Sequence, residues 1–311
     1  MYIEKIPTKK SEQLNKPWLK KIFRPMILAS AVLALQPQAK AVELPEIKAA
    51  QKYHLELAEY DGGDQDVYYA GNIKDYFDSE KIVAPGYEVY MTGIREQQEF
   101  TPYAQSFYQG IATAEWDFGE MNIVDKVIFY DSKGGWGAYF KYDKKNNSYN
   151  INFSNKNLHD TVNSLYSEER KNFDFRCTAY HEAVHAIDER ANIVNNDSEE
   201  GKKFIDYFSK IKPTQFLDRL AEGSFMLGER VSEKAGHPWG NPKELFATFI
   251  TTLSHPLLLD KLMKQSASFQ KEYLELARQV QLLLVSNEFK DTHIDQRLSS
   301  VIEFLEKKCG S

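Results

Sequence analysis

The pattern of the chain changes near residue 160, from short strand-like segments separated by turn residues to almost continuous helical periodicity. Upstream, Gly-, Asp- and Asn-rich turns separate three segments that predict an antiparallel meander, with strands at 127–130, 136–142 and 149–153. Downstream, recurring apolar residues predict helices over 166–192, 199–211, 213–234, 241–254, 257–286 and 293–308. This order predicts an α+β fold in which a small antiparallel sheet precedes a mostly helical lobe.

The segment 42–115 has a mixed pattern and no role that its residues reveal. Its first part, Leu44 to Tyr60, is predicted to be helical, and the alternating segment Tyr87–Met91 is typical of a strand. The acidic stretch Asp61–Asp66 lacks the ligand spacing of an EF-hand loop, and we interpret it as a solvated turn rather than a calcium site. We therefore divide the chain into three parts, at 1–41, 42–115 and 116–311.

Composition and charge exclude two classes of protein. Of the 311 residues 42% are hydrophobic and 13% aromatic, which is enough for a sizeable core, and no 18-residue apolar run argues for a membrane span. Removing the 8 Lys/Arg and 2 Asp/Glu of residues 1–41 from the chain totals of 39 and 45 leaves a net charge of about −12 for the rest. Binding to nucleic acid needs clustered positive charge, so such a partner is not expected.

The basic N-terminus has the three parts of a secretory signal peptide. Lysines and Arg24 precede a short apolar core, residues 26–35, and Ala39-Lys40-Ala41 provides small residues at the cleavage spacing. We predict cleavage after Ala41 and a secreted or extracytoplasmic mature protein. The basic region is long for a signal peptide, and a buried N-terminal helix is the alternative.

Two cysteines, Cys177 and Cys309, exclude a disulfide-rich scaffold. One bridge between them stays open as an alternative. Because Cys177 falls on an apolar helix stripe and Cys309 lies in the C-terminal tail, we predict that Cys177 is a buried free thiol.

The sequence His181-Glu-Ala-Val-His185 carries most of the chemical information. Residues four apart on a helix lie about 40° apart on one face, so both imidazoles can share one metal ion. Glu182 lies about 100° round the helix, where its carboxylate can act on a water molecule without ligating the metal. This HExxH arrangement is the one that zinc peptidases use.

Asp188 lies on the same face as the two histidines, one and two turns onward. Such a carboxylate can accept an N–H from an imidazole and fix its tautomer, as supporting residues of metal sites do. We therefore predict that Asp188 orients a histidine ligand.

A zinc site with two histidines needs a third ligand, and Glu244 is the candidate. A third histidine is absent at the spacing found in metzincins, whereas Asn241-Pro-Lys-Glu244 begins a predicted helix 59 positions after His185. The alternative is that Glu244 completes a capping box with Asn241, since it stands at the third helical position.

These motifs, His181 to Asp188 and Glu244-Leu-Phe-Ala-Thr-Phe249, resemble the catalytic domain of anthrax lethal factor and the related secreted Pro-Pro endopeptidases of the gluzincin group. The resemblance covers roughly residues 120–290 and implies a zincin-like fold. It implies Zn²⁺ bound by His181, His185 and Glu244, with Glu182 as general base.

The resemblance also implies an oxyanion donor, a tyrosine seven positions before the glutamate ligand, where this chain has His237. An imidazole N–H can fill that role, and a surface histidine in a Pro/Gly loop is the alternative. Tyr207 is the next candidate donor.

The expected function is that of an exported zinc endopeptidase, such as a toxin or effector, acting on protein or peptide substrates. The segment 136–142, with Trp136 and Tyr139, is the candidate strand for pairing with a substrate backbone, and a core strand is the alternative. A secreted binding protein that keeps the scaffold without catalysis is the second hypothesis, motivated by the missing tyrosine and by the unmatched segment 42–115.

Overall fold

A six-stranded mixed sheet forms one layer of the protein in a computed structural model that describes residues 56–58, 67–76, 86–119, 122–131, 137–195, 197–223 and 238–309. The strands are β1 (Glu56–Ala58), β2 (Val67–Asn72), β3 (Glu88–Met91), β4 (Lys126–Tyr130), β5 (Ala138–Asp143) and β6 (Ser148–Ser154). Their spatial order is β1-β2-β3-β4-β6-β5. The predicted signal peptide 1–41, the acidic turn 61–66, Trp136 and His237 lie outside the described residues.

The strand order corrects the predicted meander. Strands β3, β4 and β6 run parallel, whereas β5 pairs antiparallel with β6 and makes no pair with β4. The predicted hairpin between β4 and β5 therefore does not form, because β6 lies between these two strands. Every residue of β6 except Tyr149 is buried, which suits a central position, whereas β5 is half-buried throughout and forms the edge.

Ten α-helices occupy the described residues. They are α1 (Ile94–Phe100), α2 (Ala104–Asp117), α3 (Asn155–Val162), α4 (Glu168–Ala191), α5 (Glu199–Ile211), α6 (Gln215–Gly223), α7 (Pro242–Ser254), α8 (Pro256–Met263), α9 (Ala267–Ser286) and α10 (His293–Cys309). The predictions for α4, α5, α7 and α10 are confirmed to within two residues at each end. None of the described helices is long and apolar enough to cross a membrane.

Two helix predictions are wrong, one because of a local cap and the other because of strand pairing. The predicted helix 257–286 is two helices, because Ser266 accepts a hydrogen bond from the N–H of Phe269 and starts α9 as its N-cap. Residues 56–58, predicted to be helical, form β1 through pairing with β2, where tertiary pairing overrides a weak helical pattern. Helices α1 and α2 lie in the segment for which the pattern was mixed.

The core joins the sheet to α2 and α4 through aromatic side chains. Phe107 of α2 lies 5.6 Å from Phe153 of β6 and 6.0 Å from Phe129 of β4, measured between ring centroids. Phe175 of α4 packs against Phe153 on the same face of the sheet. Each of these rings is almost completely buried, and such a set contributes several kcal/mol through area burial and ring contacts, about 1.5–3 kcal/mol per fully buried side chain.

This core runs across the domain boundary that the sequence suggested after residue 115. That boundary falls inside α2, and β3, from the upstream segment, pairs with β4 from the downstream one. All described residues belong to one unit, Ile47–Ser311, and the other unit, Met1–Glu46, lies outside them.

Both cysteines are free, and Cys177 is fully buried, as predicted. Burial raises the pKa of the Cys177 thiol well above its ordinary range, which makes it an unreactive core residue.

Helices α2 and α4 touch where α2 has a glycine. A Cβ atom at Gly110 would lie 2.9 Å from Ala179 Cβ and 3.0 Å from Tyr180 N, and would also meet the carbonyl oxygen of Arg176. The two backbones are therefore in contact one residue before His181, and α2 supports the helix that carries the histidines.

Replacing Gly110 by alanine is expected to destabilise the protein by about 1–3 kcal/mol. In an exposed helix the same change would stabilise by about 0.5–1 kcal/mol, so the sign separates close packing from helix propensity. The free energy of unfolding in urea measures the effect, with Gln105→Ala at an exposed position of α2 as the matched control. A stabilised Gly110→Ala protein would contradict the close contact of α2 with α4.

His255 joins α7 to α8 and is buried without charge. Its Nδ1–H donates to the carbonyl oxygen of Thr251 at 2.8 Å. Burial, helped by Arg176 and Arg297, lowers the pKa of His255 to about 4 from the ordinary 6.5.

The His255 contribution to stability is expected to be complete above pH 6.5 and to be lost as the pH falls towards 4, because only the unfolded chain takes up the proton in that window. Between pH 7 and pH 5 this group alone is expected to remove about 2 kcal/mol from the free energy of unfolding. In His255→Asn, whose side-chain amide can donate to Thr251, the loss over that window is expected to be smaller by this amount. Equal pH slopes for the two proteins would show that His255 does not titrate as described.

Candidate metal centre

Helix α4 carries both predicted histidine ligands. It begins after Ser167, whose side chain accepts a hydrogen bond from the N–H of Arg170, and it ends at Asn192 in the left-handed conformation. Between these caps, His181 and His185 lie one turn apart on the same face. Their rings are almost perpendicular, with centroids 4.7 Å apart, and their Nε2 atoms are separated by 3.1 Å.

The carboxylate of Glu244 reaches this pair from α7. Asn241 is the N-cap of α7, its side chain accepts the N–H of Glu244 at 3.0 Å, and Pro242 occupies the first helical position. The Oε2 atom of Glu244 lies 3.3 Å from Nε2 of His181 and 3.2 Å from Nε2 of His185. The two interpretations of Glu244 thus both hold in part: its backbone N–H is capped, while its carboxylate faces the histidines.

The three atoms fit a tetrahedral metal ion. Zinc at about 2.0–2.1 Å from each of three ligand atoms separates those atoms by about 3.3 Å and leaves a fourth position open. The separations here are 3.1, 3.2 and 3.3 Å. Among the residues that the structure describes, His181, His185 and Glu244 are the group of three whose ligand atoms can hold one ion. Imidazole and carboxylate ligands suit zinc and also other divalent first-row metals.

The charges around this group favour a cation. Burial lowers the pKa of His185, but its hydrogen bond to Glu244 and the nearby charges of Glu182 and Asp188 raise it more, and the net shift is upward. The same carboxylates that favour a proton on His185 favour a divalent ion between the ligands. Glu182, the predicted general base, is 3% exposed and belongs to this acidic surrounding.

Asp188 does not make the predicted hydrogen bond to an imidazole. Its Oδ1 accepts the N–H of Val194 at 2.7 Å, and its Oδ2 lies 3.4 Å from Nζ of Lys243. The sequence prediction located Asp188 on the correct face, and its charge does raise the pKa of His185. The predicted partner was wrong because two other groups reach this carboxylate. The turn after α4 brings the backbone N–H of Val194, and the first turn of α7 brings the ammonium group of Lys243.

Lys243 is a site residue that sequence reasoning missed. Its Nζ also lies 3.0 Å from Oε2 of Glu189. Burial lowers the pKa of Lys243, and the charge of Asp188 and the hydrogen bond to Glu189 raise it by more, so the ammonium group stays protonated. The sequence did offer one indication that Lys243 lies at the site, namely its position directly before the candidate ligand Glu244.

A second connection joins α4 to the other end of α7. Tyr180 donates to Oδ2 of Asp117 at 2.8 Å and also contacts the hydroxyl of Ser254, the last residue of α7. Asp117 is fully buried, and Arg297 of α10 binds it with two nitrogens, each at 3.0 Å. This charge-assisted pair fixes the residue that precedes His181.

The candidate substrate strand β5 is the terminal strand of the sheet, so one of its edges has no strand partner among the described residues. It also contacts α4. The side chain of Tyr139 is on the wrong face for a role at the histidines: Phe140 packs into the core, Tyr139 alternates with it, and its ring lies against Tyr130. The hydroxyl of Tyr207, the second candidate oxyanion donor, donates a hydrogen bond to the carbonyl oxygen of Glu272 on α9 at 3.4 Å.

Comparisons with known proteins place the chain in no family, since no family model, no curated protein and no solved structure matches it. The resemblance drawn from the motifs stays a prediction.

The protein is expected to bind about one zinc ion per chain, because three ligand atoms lie at coordination spacing. His185→Ala and Glu244→Ala are each expected to lose most of the bound metal after dialysis, measured by elemental analysis. Zinc is also expected to raise the melting temperature of the wild type alone, since it binds only the folded state.

His159→Ala is the matched control for this measurement. His159 also contacts two glutamates, Glu96 and Glu99, but among the described residues it belongs to no group of three whose ligand atoms can share one ion. Its replacement is expected to leave the zinc content unchanged. A wild-type protein that binds no divalent metal would contradict the assignment.

Proposed function

We propose that the chain is an exported zinc-dependent endopeptidase with a zincin-like catalytic region, in which His181, His185 and Glu244 bind the metal and Glu182 is the general base. The observation that carries the proposal is the convergence of one carboxylate and two imidazole atoms within 3.3 Å, from two helices whose ligands His185 and Glu244 are 59 positions apart in sequence. The HExxH motif supplies the role of Glu182, and the signal-like residues 1–41 support export.

The chemistry divides between the metal and the chain. Zinc in this group would lower the pKa of a coordinated water to about 7, far below that of bulk water, and would polarise the scissile carbonyl. Glu182 takes the proton of the attacking water and afterwards delivers it to the leaving amine. Glu182 follows His181 on a buried turn of α4, and its charge acts on His185, but it is not one of the three groups whose ligand atoms converge.

Substrate binding in this proposal uses the free edge of β5. An extended peptide can add to that edge through backbone hydrogen bonds. Because such bonds do not depend on side chains, this mode of binding admits peptides of many sequences, and it keeps the peptide next to α4. His237 is the proposed oxyanion donor, by the resemblance alone.

Replacing Glu182 by glutamine is expected to lower kcat/KM for peptide hydrolysis by about 10²–10⁴ while zinc content and melting temperature stay near the wild type, because the amide cannot take the proton. Cleavage of a proteome-derived peptide library, read by mass spectrometry, identifies a substrate for this measurement. Glu169→Gln, at an exposed position in the first turn of the same helix, is the matched control and is expected to retain full activity.

The outcome separates catalysis from binding alone. A zinc-loaded wild type that cleaves no peptide in the library, or a Glu182→Gln variant with unchanged turnover, would contradict the peptidase proposal.

A further inference from the structure

Asp188 is an acidic group that the proposed reaction does not use, and its burial needs an explanation. Its side chain is 1% exposed, and it lies three residues after His185 on α4. A buried carboxylate is costly unless hydrogen bonds and an opposite charge compensate it. The N–H of Val194 supplies a hydrogen bond, and Lys243 supplies the charge.

Lys243 stands where its own helix does not favour it. It is in the first turn of α7, and the helix dipole there favours acidic groups and disfavours cations. Local helix energetics therefore do not account for a lysine at this position. Its two carboxylate partners, Asp188 and Glu189, both belong to α4, so its role joins the two helices.

The connection that Lys243 makes between α7 and α4 affects the position of Glu244, the next residue in the chain. Lys243 and Glu244 are neighbours in the same helical turn, so holding Lys243 against Asp188 sets the rotation and the height of that turn relative to α4. The far end of α7 is held separately by the contact of Ser254 with Tyr180 and Asp117. Both ends of α7 are therefore held against α4. This fixes the carboxylate of Glu244, on α7, at a set distance from the two imidazoles, which belong to α4.

We propose that Lys243 is a positioning residue for the metal site: through its ion pair with Asp188 it holds Glu244 at the spacing from His181 and His185 at which three ligand atoms share one ion. The inference rests on the proposed function, in that it concerns the metal site assigned there. Lys243 itself does not touch the metal, the substrate or the reacting atoms.

The test measures metal binding rather than activity. Zinc affinity is determined by competition with a chromophoric chelator for the wild type, Lys243→Met, Lys243→Arg, Asp188→Asn and the double variant Asp188→Asn/Lys243→Met. Loss of Lys243 is expected to weaken zinc binding about 10- to 100-fold, the usual effect of removing a residue that supports a ligand. Lys243→Arg is expected to restore most of the affinity. The double variant is expected to bind no more weakly than the weaker of the two single variants, because one interaction is removed twice.

Two further measurements separate positioning from general stability. The visible absorption of the Co²⁺-loaded protein reports coordination geometry, and it is expected to change in Lys243→Met and to recover in Lys243→Arg. Lys264→Met, which removes an exposed lysine paired with Asp260, is the matched control and is expected to change neither the spectrum nor the affinity. A purely structural role would lower the melting temperature of the metal-free protein and leave both unchanged.

The outcomes also separate this inference from the proposed function. A wild type that binds no zinc overturns both. A wild type that binds zinc, with Glu244→Gln strongly weakened but Lys243→Met within threefold of the wild type, overturns the positioning role and leaves the metal site intact.

Discussion

The fold depends on a constraint at α4, which has to be buried on nearly all sides and still carry ionisable groups. His181, Glu182 and Asp188 are each at most 3% exposed, inside a helix whose other buried residues pack against α2, the sheet and α7. Buried polar groups are tolerated only when they are compensated. Each neighbouring element therefore provides something specific to α4: a close backbone contact at Gly110 from α2, and a carboxylate and an ammonium group from α7.

The charges that surround the two histidines are predominantly negative. The charges of Glu244, Glu182 and Asp188 all act on His185, and the ammonium group of Lys243, on α7, pairs with Asp188 and Glu189. The ligand side of the histidines is occupied by Glu244, whose charge raises the pKa of His185. An arrangement of this kind is unfavourable for a protein core that serves stability alone, and it is favourable for binding a divalent cation.

The failed sequence predictions have two physical origins: contacts between distant parts of the chain, and a local cap that hydrophobic periodicity does not report. The strands were located correctly at β4, β5 and β6, but their order was not, because a period of two residues reports which residues are buried and not which strand lies alongside. The long helix predicted at 257–286 was divided by the N-cap Ser266, a local signal that periodicity does not weigh. Asp188 was placed on the correct face but assigned the wrong partner, since its partners are the N–H of Val194 in the turn after α4 and the ammonium group of Lys243, 55 positions later.

The sequence by itself determined the helix that carries the HExxH motif, the pairing of His181 with His185 on one face, and the cap at Asn241, because each follows from the geometry of a single helix and from interactions within a few residues. Glu244 was recognisable as a candidate ligand from its place after that cap. Only the tertiary structure decided that its carboxylate reaches the histidines, that β5 is the edge of the sheet, and that Lys243 meets Asp188. These contacts join elements far apart in the chain. They depend on how the helices pack and on the order of the strands in the sheet, and local hydrophobic periodicity carries no information about either.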